Sequence, residues 1–193
     1  AYSCDGARLE LIPNTPPPNF ATDSFDVERG IYVTAIKNFD ICALGYKLQV
    51  SSLPRTLEAR IYAANGTTRG ALLASGSFPL STFSNVVQFV PIDYTLEACK
   101  DYELVFVIPG GDSWEWWHES GIAEPFDIGG GIRVRDGSAN GDALNAALPH
   151  IEVIGTAAPS PAMLTDLGGP GSPPYLAPDD FQERGIYVRM LDT

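Results

Sequence analysis

Trp114-Glu115-Trp116-Trp117-His118 gathers all three tryptophans of the chain within four positions and sets acids and a histidine among them. Alternate residues of an extended strand share a face. Trp114 and Trp116 would therefore stand side by side, with Asp112, Glu115 and Glu119 near them as hydrogen-bond acceptors. Flat rings flanked by acceptors stack on sugars, which makes Trp114, Trp116 and Trp117 the candidate glycan-binding residues and polysaccharide a candidate partner. A core or a subunit interface uses the same rings, and burial there is the preferred reading.

Other reactive side chains are sparser. Glu115, Glu119 and Glu124 could supply the carboxylate pair of a glycoside hydrolase, but surface acids are common in so acidic a chain. His118 and His150 lack any Gly-x-Ser-x-Gly elbow or Cys-His setting, so the chain is read as a non-enzyme. Asp136, Asn140 and Asp142 sit in one turn with Gly137 and Gly141 and could wrap a calcium ion through oxygen ligands, a weak candidate site. Turn formation accounts for the same residues, and no cofactor is otherwise expected. Asn65-Gly66-Thr67 fits a glycosylation sequon, though turn chemistry explains Asn-Gly as well.

Cys4, Cys42 and Cys99 show no metal-ligand spacing. If the protein is exported, a Cys42–Cys99 disulfide would close a loop of 57 residues and stabilise by about 4 kcal/mol, leaving Cys4 for an intermolecular bond. An intrachain bond from Cys4 that frees another cysteine stands beside it. The opening Ala1-Tyr2-Ser3-Cys4, without initiator Met or apolar leader, reads as a mature N-terminus, so an extracellular or cell-surface location is expected.

The elements that must position these groups read as strands. The 193 residues include 19 Gly and 16 Pro, with many short β-branched and aromatic runs. Eight strands are predicted, at Val27–Ile36, Ile41–Val50, Leu57–Ala63, Ala71–Gly76, Val86–Ile92, Tyr102–Ile108, Ile128–Val134 and His150–Ile154. This spacing predicts an all-β, two-sheet antiparallel sandwich or jelly roll. The first two strands are expected to be neighbours, and Tyr102–Ile108, nearly all apolar, to be central. A net charge of −12 would repel phosphate backbones and excludes nucleic acid as a partner, and no apolar run approaches a membrane span.

One stretch occurs twice. Glu28-Arg29-Gly30-Ile31-Tyr32-Val33 returns as Glu183-Arg184-Gly185-Ile186-Tyr187-Val188, a period of 155 residues, and the match extends upstream from 17–25 to 173–181 with one residue lost between. Solenoid repeats span roughly 20–50 residues, so this period is the length of a whole domain. The predicted organisation is an N-terminal arm (1–26), a sandwich (27–154), a Pro/Gly-rich linker (155–181) and a C-terminal repeat strand (182–193). Ile186, Val188 and Met190 share a face, with Tyr187 opposite. They are expected to act as a donor strand between copies of the chain, with Ile31, Tyr32 and Val33 as their twin. A severed second domain, or folding back, would explain the copy too.

The succession Ile41-Cys42-Ala43-Leu44-Gly45-Tyr46, Leu57-Glu58-Ala59-Arg60-Ile61-Tyr62, Gly70 to Gly76 and Leu96 to Phe106 resembles repeated, carbohydrate-binding-module-like sandwich domains of bacterial secreted and surface proteins. The resemblance spans 27–154 and implies export and a non-enzymatic role. The expected function is a structural subunit of a filament or surface layer that assembles by strand exchange. The alternative is a carbohydrate-binding or adhesion module of a larger tandem-domain protein.

Overall fold

The computed structural model describes residues 6–11, 19–23, 27–80, 86–110, 114–120, 125–128, 130–144 and 147–157, all within one unit, Ala1–Ser160. The strands are β1 (Ala7–Glu10), β2 (Asn19–Asp23), β3 (Arg29–Ala35), β4 (Phe39–Val50), β5 (Arg55–Asn65), β6 (Thr68–Leu80) and β7 (Val86–Leu96). They are followed by β8 (Asp101–Val107), β9 (Trp114–Ser120), β10 (Phe126–Ile128), β11 (Ile132–Ala139), β12 (Asp142–Ala143), β13 (Ala147–Pro149) and β14 (Ile151–Ala157). Two antiparallel sheets pack as a sandwich, as the spacing predicts. The first sheet runs β1-β14-β4-β9-β13, with β7 on β4 and β2 on β9; the second runs β10-β11-β3-β8-β5-β6, with β12 on β11.

Alternation explains which faces meet. β3 turns Ile31, Val33 and Ala35 into the core, and β4 turns in Phe39, Ile41, Leu44, Tyr46, Leu48 and Val50. The apolar alternation of β4 slips by one residue after Ile41. Register shifts at Ile41/Ala43 against β7 and at Ile154/Gly155 in β14 absorb the slip, as β-bulges do. Tyr46 of β4 stacks on Phe106 of β8 with ring centroids 4.6 Å apart, joining the two sheets at their middle. β8 lies between β3 and β5 and is buried along nearly its whole length, the central place its apolar run implies. Asn65-Gly66 forms the β5–β6 hairpin tip, with Gly66 at φ 62° and Asn65 opposite Thr68.

Several expectations are corrected. The first two predicted strands are not neighbours: β3 lies in the second sheet and β4 in the first, because the short link between them crosses the sandwich and lets both bury an apolar face. Ile128–Val134 is not one strand. Gly130 and Gly131, at φ 87° and 90°, turn the chain between β10 and β11, so that Ile128 pairs with Ile132. The N-terminal region is not wholly an arm, since β1 pairs with β14, β2 pairs with β9, and Leu11 is fully buried. The body also runs past Ile154 to Ala157.

Cys99 is a free, exposed cysteine at φ 61°, in the turn before β8, so the Cys42–Cys99 disulfide is not formed. Cys42, beside β14 with its Sγ 3.4 Å from the Ile154 carbonyl oxygen, is not free. Cys4 lies outside the described residues. Alkylation of the folded, unreduced protein is expected to label Cys99. Recovery of a Cys42–Cys99 peptide in a non-reducing map would contradict this arrangement.

Candidate functional site

The repeated stretch supplies β2, the crossover between the sheets, and β3, and each of its six identical residues is used. Glu28 stands just before β3 and accepts from two arginines: Arg60 Nη1 of β5 donates to its Oε1 at 2.5 Å, and Arg69 Nη1 of β6 donates to its Oε2. Arg69 also forks onto Glu103 of β8, with Nε to Oε2 at 2.6 Å and Nη2 to Oε1 at 3.0 Å. Its guanidinium lies 4.2 Å from the centroid of the Tyr62 ring, whose hydroxyl reaches Glu28 Oε1 at 3.2 Å. Arg60 continues the chain of charges to Glu58 at 2.6 Å. A planar guanidinium matches a carboxylate fork, which is why Arg69 can satisfy a Glu103 that is 0% exposed.

Arg29 points the other way, between the sheets. Its Nε and Nη2 donate to the two carboxylate oxygens of Asp23 at 2.5 and 2.7 Å, and its guanidinium lies 4.7 Å from the Trp116 ring centroid. Burial opposes its charge, and the bonds to Asp23 overcome that and raise its pKa. Gly30 is required by space: a Cβ there would come within 2.6 Å of Leu104 O, 2.7 Å of Ser138 Oγ and 2.8 Å of Val105 Cγ2. Ile31 and Val33 fill the core. Tyr32, buried on the opposite face, donates its hydroxyl to Gly141 O at 2.5 Å. Burial, with Glu103 opposite, pushes its phenol up to about 12, so it remains a neutral donor.

The strand is interior. Val33 pairs with Tyr102 of β8 on one side and with Val134 of β11 on the other. The position is therefore a slot with two hydrogen-bonding walls, a core face and a charged face. Its twin residues Ile186, Tyr187, Val188 and Met190 lie outside the described residues.

The structure separates the other candidates. Trp114 and Trp116 are 1% and 3% exposed and belong to the core, the burial preferred from the sequence, so they offer no platform to a sugar. They pair with Val50 and Leu48 of β4, whose inward faces draw them in. Trp117 alternates to the opposite face, half-buried. There Phe20 of β2, 61% exposed, stands opposite it with ring centroids 6.0 Å apart, and Lys47 Nζ lies 5.7 Å from its centroid.

Asn140 and Gly141 form the turn in the Asp136–Asp142 stretch, both at positive φ. Asn140 Oδ1 accepts the Glu28 N–H at 2.9 Å, and the turn at Asn140-Gly141 leads β11 into β12. No group of three His, Cys, Asp or Glu side chains is placed to hold a metal ion among the described residues. Glu119 is nearly buried and Glu115 sits opposite Thr22, while Glu124 lies outside the described residues. Burial pushes the His118 imidazole down. His150 is 1% exposed and faces Glu152, its Nε2 3.0 Å from Oε1. No helix of the described residues is long and apolar enough to cross a membrane.

Fold and site define a two-sheet antiparallel sandwich whose most specified position is an interior strand that its own sequence encodes twice. No family model matches the chain, and no curated protein matches it.

Arg60 and Arg69 were not singled out from the sequence. The available signal was Glu103, an acid set between Tyr102 and the apolar run Leu104-Val105-Phe106-Val107, where burial demands a cation. Burial works against the charge of Glu28, but the hydrogen bonds and charges of Arg69 and Arg60 outweigh it and hold its pKa below the usual carboxylate range. Asp101 is likewise depressed: burial is offset by Thr34 Oγ1, the Gly66 N–H and Arg135. A carboxyl depressed by folding adds stability above its unfolded pKa of about 4 and loses it as pH falls through the folded value. Urea unfolding should show stability level near neutrality and falling below about pH 4. Arg69→Met, which strands Glu103, is expected to lose about 3 kcal/mol at pH 7 and to show a shallower acid decline. Unchanged stability at pH 7 would contradict this account.

Proposed function

We propose that the protein is an extracellular structural subunit that joins other copies of itself through its second copy of the opening segment, with Ile186, Tyr187, Val188 and Met190 as the donor strand. One observation carries the reading. All six residues at 28–33 have a defined use in the sandwich, so an identical sextet at 183–188 is specified for a sandwich as well. An unpaired strand of this kind needs a sheet to receive it, and a head-to-tail joint that does not close builds a filament. The role is non-enzymatic. The resemblance to repeated sandwich domains of secreted and surface proteins agrees with it, and the acidic charge keeps the subunit away from nucleic acid.

Light scattering of the full chain is expected to find concentration-dependent polymers that reductant leaves intact. A chain ending at Ser160 should remain folded and monomeric. Polymers that survive this truncation would overturn the reading, and polymers dissolved by reductant would assign the joint to a disulfide through Cys4 or Cys99 instead.

A second reading, adhesion to polysaccharide, is favoured by the Phe20–Trp117 pair beside Lys47 on the face of β2 and β9 away from the core. Replacing both Phe20 and Trp117 by Ala should abolish retention on a polysaccharide column that holds the parent chain. Equal retention of the two proteins removes this reading.

A further inference from the structure

Resting on the assembly reading, we propose that the acceptor is the β3 slot itself: residues 183–188 of one chain displace residues 28–33 of another and lie between its β8 and β11. Addition at a free edge would need only a strand of suitable alternation. The slot needs the particular residues that the copy repeats. Glu183 replaces the carboxylate held by Arg60 and Arg69. Gly185 meets the close approach of Leu104 O and Ser138 Oγ that excludes a Cβ at Gly30. Ile186 and Val188 take two fully buried core positions, and Tyr187 takes the hydroxyl contact to Gly141 O. Upstream, Asp179 stands where Asp23 does and Arg184 where Arg29 does, so the ion pair that sets the crossover is also encoded twice.

The two copies part at the next positions. Thr34 Oγ1 donates to Asp101 Oδ1 at 2.6 Å and Ala35 is fully buried, whereas the copy carries Arg189 and Met190. A longer side chain at a closed position strains the packing. The chain's own β3 is therefore the better occupant, so the copy takes the slot of a neighbour only in a minor population that grows with concentration, an exchangeable form of domain swapping. The 25 residues at 158–182 reach at most about 80 Å at about 3.3 Å each, enough to span to a second molecule.

Two single variants and their combination, all in the full chain, test the assignment by circular dichroism and light scattering. Gly30→Val blocks the chain's own strand, and it is expected to keep the sandwich fold while shifting the protein wholly into oligomers. Gly185→Val is expected to fold as a monomer, and the double variant to lose the fold. Gly30→Val that unfolds as fully as the double variant, or that folds as a monomer, overturns the proposal. If Gly185→Val still polymerises while truncation at Ser160 abolishes polymers, the assembly reading stands and only the slot assignment falls.

Discussion

The fork of Arg69 on Glu103 is the contact on which the second sheet depends. Glu103 sits in the middle of the central strand with no exposed surface, and a bare carboxylate there would be untenable. Arg69 reaches it from the edge strand β6 across β5, so one side chain fixes the register of three strands. Its remaining nitrogen takes Glu28, which places the start of β3. The strand with the strongest sequence signal is thus located by charges that lie far from it in the chain.

The first sheet is tied in by different means. β2 belongs to that sheet and β3 to the other, and the Asp23–Arg29 pair closes the passage between them over the Trp116 ring. A cation against the indole face and a forked carboxylate leave Arg29 well satisfied between the sheets. The aromatic cluster thus supplies, in Trp116, the ring against which this crossover is set.

Much of the fold is legible in order of strength of local pattern. The alternation of β4, the apolar run of β8 and the Asn65-Gly66 turn each carry their own signal, and each is where it was read. What escaped depends on partners distant in sequence. Alternation puts Trp114 and Trp116 on one face without saying which face is inside; Leu48 and Val50 decide that. Three glycines in a row mark a break in Ile128–Val134, but only positive φ at two of them makes it a hairpin rather than a bulge. The pairing of β1 with β14 joins the two ends of the body and leaves no local trace. The expected Cys42–Cys99 bond depended on geometry that the sequence does not carry, and the turn before β8 leaves Cys99 exposed and free.

The order in which the strands emerge gives the two copies of the sextet different histories. β3 is made before both of its walls, since β8 and β11 follow it in the chain. The first copy must therefore wait, unpaired, through the synthesis of most of the domain, as long-range β pairings generally do. The second copy appears only after β8 and β11 exist. Synthesis order alone thus separates the first copy, whose walls are still to be made, from the second, whose walls already exist.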